Sequence, residues 1–590
     1  MQNIINFFNY EKNILLSLSP NGNKYLLKKT ILDKKTNKFK EYYYINEKRI
    51  VANSIKSINF LDNETILYLN NKGLFSLKNK KNLIINGKFD NFEILNSSKI
   101  ILWKNFISEE ENPIRKKVNK VSQRCQIIIY DIFDMNKIFF EIDDGNIVSC
   151  NVFGNEAFFL IKNNYLSDFP EQLWKLDNTN LKIINKDTFS FINLIGKIEN
   201  KIIFIGYKQC PSNASMEKQI LFYDEKIQTI ESLDLLLRGT LLEASLSGKN
   251  IIIRESNNFN SLVYLVKYDS KEILNKIDIP KFIRNIKVSA NSLYFLEEDF
   301  FMFPIVKKFE INEFFNYKFV GDEEESKQVK IITWEYKGLK IEGALFIPEK
   351  KVTKNLAVIT TGRSNQFVRC HYNSSDLTGG NDNFPYPIQN ILKKGYSVFL
   401  CNCRANVFHD FENRNNSGYK RLAEYSEILN EGIKKVKALF KFENIFILAW
   451  SLGAYIAADL AFKSKDTIYN LILGNGVYNL ISMYSTSNVF EFIEFMGGDI
   501  LETTKLESYI KSSPFFKSKN FHGKILLQHI VEDQVMPISQ SKELYYQLIF
   551  SNKKVELIIY KEHEHNFIKG ASLLQASNDV LYFLDKNKVH

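Results

Sequence analysis

Two hydrophobic patterns divide the chain. From about residue 10 to 315, short apolar runs are separated by tight polar turns with almost no helical periodicity, whereas after Phe319 apolar runs alternate with amphipathic stretches. In the first region one unit recurs: an apolar strand, a turn, and a second apolar strand. The clearest copy runs Ile14–Leu18, then Ser19-Pro20-Asn21-Gly22, then Tyr25–Leu27. Six further copies turn at Asp62-Asn63, Asn96-Ser97-Ser98, Gly154-Asn155, Glu199-Asn200, Ser247-Gly248 and Ala290-Asn291. These residue types tolerate tight hairpin geometry. The turns lie roughly 35 to 57 residues apart, averaging about 45, the period of a four-stranded propeller blade. Seven copies predict seven blades, and a run of unrelated hairpins in a β-sandwich is the alternative.

In the second region GDEEESK (Gly321–Lys327) reads as a polar linker and VKIITWEYKGLKIEGALFIP as a β-hairpin. A buried strand NLAVIT (355–360) follows, then a short helix over 385–395 ended by Gly395. Next come the strand YSVFLCN, a long helix from about Tyr419 to Phe440, and the strand NIFILAW. The strands NLILG (470–474), KILLQHI (524–530) and VELIIY (555–560) complete the series, with helical segments between them. Continuous apolar strands alternating with amphipathic helices predict a mostly parallel sheet covered on both faces. The expected architecture is multidomain: an all-β propeller over residues 1–320, then an α/β domain with a mostly parallel, doubly wound sheet over 321–590.

A chain of 590 residues exceeds a single core, which agrees with that division. Its net charge of +11 is a slight excess over this length. The densest basic stretches, Lys78–Lys81 and Arg115–Lys120, fall between apolar runs without an aromatic-interleaved stripe, which argues against a nucleic-acid partner. No charged leader precedes the first apolar residues, and Glu11–Lys12 interrupts them, which argues against a signal peptide. No apolar run approaches the length of a membrane span, so no membrane partner is expected. Six scattered cysteines do not make a disulfide framework, and a cytoplasmic location is the simplest expectation. Cys401 and Cys403 share one strand face, and Cys370-His371 precede them, a set that could be grouped as a metal site. Buried free thiols are the commoner outcome, and neither a metal nor another cofactor is expected.

The chemistry concentrates in the second region. NIFILAWSLGAYIAADLAF reads as strand, sharp turn and helix, with Ser451 at the turn. That context is a nucleophile elbow of the α/β-hydrolase fold, which lifts a serine above the sheet edge. The backbone N–H of Leu452, opening the helix, would then face a developing oxyanion. The elbow is a variant, with Ala449 where glycine is usual. A nucleophilic serine needs a base, and the base an orienting carboxylate, in the order Ser, acid, His. KILLQHI leads into VEDQVMPISQS, which places Asp533 on the following loop, with Glu532 as rival acid. VELIIY leads into KEHEHNF, which places His563 and His565 on the next one.

Residues 325–590 resemble the prolyl oligopeptidase family of serine peptidases, and the preceding propeller matches that family's architecture. The resemblance rests on SPNG in the first repeat, GYSVFLCNCRA, AWSLGA, SSPFF, DQVMPISQS and YKEHEHNF. Matched residue by residue, it implies Ser451 as nucleophile, Asp533 as acid and His565 as base. His563, two residues earlier, would face the opposite way in an extended segment. The family's second oxyanion donor comes from a loop beginning HGG or YGG; here the loop reads TTGRSNQ, so Thr361 stands at that place. Arg363 beside it is a candidate for binding a substrate carbonyl or carboxylate. Arg404 occupies the arginine of the family's Arg-Gly pair, with Ala405 replacing glycine, and is also a substrate-side candidate or a salt bridge supporting its loop.

The expectation is a serine hydrolase that cleaves short peptides or acylated peptides through an acyl-enzyme. The resemblance implies that the propeller covers the active-site face and excludes folded proteins. Two alternatives stand beside it. The same triad could pass its acyl group to an amine, as a macrocyclase or transpeptidase, or act as an esterase or thioesterase. A non-catalytic binding protein on a degenerate scaffold is favoured by the altered TTG loop and Ala449, and opposed by retention of all three triad residues. Homo-oligomerisation is left open.

Overall fold

The computed structural model describes residues 11–33, 36, 38–50, 54–78, 81–108, 122–143, 145–162, 172–177, 180–184, 189–208, 219–233, 242–257, 259–319, 328–349, 354–360, 367–379, 382–402, 418–487 and 500–588. The first region folds into seven antiparallel sheets, six of four described strands and the last of three, each in simple sequence order. This is a seven-bladed β-propeller. Each predicted turn joins the first and second strands of one blade, from Glu11–Leu18 with Tyr25–Asp33 in blade one to Phe282–Ser289 with Ser292–Asp299 in blade seven. The reason is local. Gly22, Gly154 and Gly248 take φ of +69°, +65° and +58°, which costs glycine little. Elsewhere a side chain does the work: Asp62 accepts the amides of Glu64 and Thr65 at 2.7 and 2.6 Å, and Asn96 those of Ser98 and Lys99 at 2.9 Å each. Interior strands such as Ile66–Asn70 are buried along their whole length because neighbouring blades cover both faces.

The second region is built on one eight-stranded sheet. Its strands are β1 (Val329–Tyr336), β2 (Leu339–Phe346), β3 (Asn355–Thr360), β4 (Ser397–Cys401), β5 (Asn444–Trp450), β6 (Tyr469–Gly474), β7 (Lys524–Ile530) and β8 (Lys554–Tyr560). The spatial order is β1-β2-β4-β3-β5-β6-β7-β8; β1, β2 and β4 pair antiparallel and all other pairs are parallel. Successive side chains leave a strand on opposite faces, and the sequence supplies apolar groups for both. Ile445, Ile447 and Ala449 enter one core with the helices α2 (Gly418–Leu439), α3 (Leu452–Lys463) and α4 (Ser539–Phe550). Phe446, Leu448 and Trp450 enter the other with α1 (Ile388–Lys393) and α5 (Gly570–Asn587). The sheet is therefore doubly wound as expected. The linker over 321–327 lies outside the described residues.

The two regions meet over residues 367–379. Phe259, Phe282 and Phe300 of the propeller join the second core. The amide of Tyr372 donates to the carbonyl of Phe300 at 2.9 Å, Arg369 lies 3.6 Å from Asp299, and His371 stacks on Phe303 with ring centroids 3.7 Å apart. Burial pushes His371 down to about 4, so it packs here as a neutral ring. Cys370 is buried and its thiol is pushed up by the same cause, while Cys401 lies in the first core. Among the described residues no cluster of three ligating side chains is present, and Cys403 lies outside them. Nor is any described helix long and apolar enough to cross a membrane.

Candidate active site

Parallel strands deliver their following loops to one edge of the sheet, and the three chemically informative loops follow β5, β7 and β8. Ser451 stands between β5 and α3 with φ +57° and ψ −130°. A non-glycine residue held there carries about 1–3 kcal/mol of strain. The surroundings enforce it. The Ser451 amide donates to the carbonyl of Gly474 on β6 at 2.9 Å, and its own carbonyl accepts from Ala454 at 3.0 Å, closing the first turn of α3. Leu452 is buried at the first helical position, where a backbone N–H has no partner inside the helix. Ala449 is fully buried in the first core and pairs with Thr360 and Leu473, so its methyl is absorbed as core packing. On the other face of β5 the Trp450 ring lies against β6, where a Cβ at Gly474 would come within 2.0 Å of it.

Asp533 is almost fully buried, and its carboxylate is shared three ways. Oδ1 accepts the amides of Val535 and Met536 at 2.9 Å each, and Oδ2 lies 2.7 Å from His565 Nδ1. A carboxylate so held requires the proton on Nδ1 and leaves Nε2 as the basic nitrogen of the neutral ring. His565 retains 18 % of its side-chain exposure. His563 is exposed, as is Glu532. Of the two histidines it is thus His565 that meets Asp533. Thr361, Arg363 and Arg404 all lie outside the described residues.

Several supporting groups escaped the sequence reading. His529, fully buried at the end of β7, has Nε2 2.8 Å from the Met536 carbonyl and Nδ1 2.7 Å from Ser541 Oγ. A carbonyl only accepts, so Nε2 donates there and Nδ1 accepts from the hydroxyl. Burial pushes this ring down to about 4 and keeps it neutral, a fixed brace under the Asp533 loop. Glu562 is buried and accepts the amide of Ile568 at 2.9 Å and that of Lys569 at 3.3 Å, tying the His565 loop to the start of α5. Asn383 donates to the Phe567 carbonyl at 2.7 Å, and Asn566 to Asp382 Oδ1 at 3.0 Å, which holds the same loop from the other side. The QS of DQVMPISQS was the one available signal. Gln540, on α4, accepts the amides of Tyr478 and Asn479 at 2.9 Å each and so joins the helix that follows the Asp533 loop to the segment after β6.

Residues 383–588 match the model of the prolyl oligopeptidase family. A search of curated protein sequences finds no match. Among solved structures, the acylaminoacyl peptidase of Pyrococcus horikoshii superposes with a TM-score of 0.76 at 16 % identity, covering 99 % of this chain and 96 % of that one. A puromycin-hydrolyzing peptidase of Mycobacterium tuberculosis gives 0.67 at 9 % identity, covering 99 % and 95 %. At such identities the likeness is one of fold.

Proposed function

We propose that this serine peptidase, whose residues 383–588 belong to the prolyl oligopeptidase family, cleaves short peptides or acylated peptides through an acyl-enzyme on Ser451. The observation that carries the reading is the 2.7 Å contact between Asp533 Oδ2 and His565 Nδ1, on loops leaving the same sheet edge as the Ser451 elbow. In the proposed cycle Ser451 Oγ attacks the scissile carbonyl carbon while His565 Nε2 takes its proton. Asp533 stabilises the resulting imidazolium without itself being protonated. The tetrahedral oxyanion is met by the Leu452 amide, and we assign the second donor to the loop at Thr361. Collapse breaks the C–N bond, His565 returns the proton to the leaving amine, and water then releases the acyl group by the same steps in reverse order.

The substrate class is drawn from the family and from the fold it shares with a peptidase solved in complex with Z-Gly-Gly-Phe-chloromethyl ketone. We divide the chain into a propeller over 1–320 and a catalytic domain over 321–590, the first filtering substrates by size. Among the described residues Cys125, Cys150, Cys370 and Cys401 are buried and form no disulfide, which supports a reducing, cytoplasmic compartment.

The test is labelling with a fluorophosphonate probe, comparing the wild type with Ser451→Ala and His565→Ala. Labelling of the wild type that disappears in both variants is expected. N-acetylated aminoacyl anilides measured against their free-amine counterparts then separate acyl-peptide from aminopeptide cleavage. A folded wild type that neither labels nor hydrolyses any of these compounds would overturn the proposal.

A further inference from the structure

We propose that Asn475 is a positioning residue for the triad, a single buried amide that sets the relative placement of the nucleophile, acid and base loops. The inference rests on the triad reading above. Asn475 follows β6, is fully buried, and takes φ +40°, a conformation asparagine tolerates better than most residues. Its backbone amide and both polar atoms of its side chain bond to the strand and loop segments bearing the proposed acid and base. Its backbone amide donates to the carbonyl of Gln528 on β7 at 2.9 Å. The side-chain Oδ1 accepts the amide of Ile530, three residues before Asp533, at 2.8 Å. The side-chain Nδ2 donates to the carbonyl of His565 itself, also at 2.8 Å. One residue earlier, the Gly474 carbonyl receives the amide of Ser451 at 2.9 Å.

The His565 imidazole is held at Nδ1 by Asp533 and, through its own backbone, by Asn475. Two anchors of different kinds fix where Nε2 stands relative to the elbow: Asp533 orients the ring, and Asn475 locates its Cα. Removing the second anchor leaves the Asp533 contact dependent on a loop that has lost its tie to β6. The base then spends less of its time in the reactive geometry, and its imidazolium is held less firmly by the carboxylate. Substrate affinity, set by other groups, is untouched.

The variant to make is Asn475→Gly, which keeps φ +40° accessible and removes both side-chain bonds. Its matched control is Asn444→Gly. Asn444 is also a buried amide, bonded to Asn355 and Asn587 and accepting from Asn470, but at the opposite end of β5 from Ser451. Fluorophosphonate labelling rates and ester or anilide kinetics across pH are read together with thermal melting. The expectation for Asn475→Gly is a kcat lower by about 10²-fold, the scale of a misplaced catalytic group. KM should stay within about threefold, so that the loss falls on kcat. Asn444→Gly should melt earlier with its kcat within about threefold of wild type. Should Asn475→Gly not fold, Asn475→Asp keeps the volume and the acceptor for Ile530 while its carboxylate cannot donate to His565, and the same loss of kcat is expected. Wild-type kcat in either folded Asn475 variant, or a loss matched by the Asn444 control, overturns the inference. A wild type that does not label, or a Ser451→Ala that does, sinks the triad reading instead.

Discussion

Asp533→Asn isolates one function of the acid loop, because the geometry dictates what the new amide must do. The native carboxylate accepts two buried backbone amides on Oδ1 and meets His565 on Oδ2. An asparagine has one oxygen, so it can satisfy the backbone pair or the imidazole N–H, not both. Turning the oxygen toward His565 would leave the Val535 and Met536 amides facing an NH₂ group. Each unsatisfied buried donor costs about 1–3 kcal/mol, or about 2–6 kcal/mol for the two, against a single bond to the ring. The oxygen therefore stays with the backbone and the NH₂ faces Nδ1. The imidazole answers by moving its proton to Nε2, the nitrogen that accepts from Ser451 in the proposed cycle. In a serine triad that tautomer switch lowers kcat by about 10⁴-fold, or about 5 kcal/mol of transition-state stabilisation. Because both backbone bonds survive, the melting temperature should stay within about 4 °C. The assay is labelling rate plus steady-state hydrolysis, with circular dichroism melting on the same samples. A folded Asp533→Asn within tenfold of wild type would refute the reasoning. A larger loss in Glu532→Gln would transfer the role to the exposed neighbour.

Two further outcomes follow from the local geometry. Ser451→Gly should be more stable than Ser451→Ala by about 1 kcal/mol, because only glycine relaxes at φ +57°; equal or reversed denaturant midpoints would mean the elbow stores no strain. His371, held down to about 4 by burial against Phe303, is protonated in the unfolded chain from about pH 6.5 downward but much later in the folded one. Its contribution is whole above that value and is lost as pH falls from about 6.5 toward 4, by up to about 3 kcal/mol. His371→Phe should therefore flatten the fall of stability with acid over this window. The comparison with wild type cancels groups common to both, including nearby Glu298, which burial pushes up to about 7. Parallel stability–pH curves for the two proteins would show that His371 does not titrate as argued.

The sequence by itself determined whatever rests on local rules. Glycine, asparagine and aspartate at regular intervals mark places where the backbone must reverse. Because one hairpin turn opens each blade, the spacing of those turns carried the blade count. The elements of the second region were legible for a similar reason: strands covered on both faces must be apolar throughout, and NIFILAW or KILLQHI admits little else. The elbow was legible because strand, serine and helix are contiguous. What the tertiary structure decided depends on groups distant in the chain meeting at the sheet edge. The choice of His565 over His563 was implied only by resemblance; it acquires a physical basis when two strands' loops converge and one imidazole reaches Asp533. Asn475, His529 and Glu562 had no signal at all. A buried amide, a neutral histidine and a carboxylate that accepts backbone N–H groups look like any other polar residues along a chain. Their roles exist because backbone amides and carbonyls at the end of β7 and on the loops after β7 and β8 must find partners, and these side chains are the ones the fold brings to them.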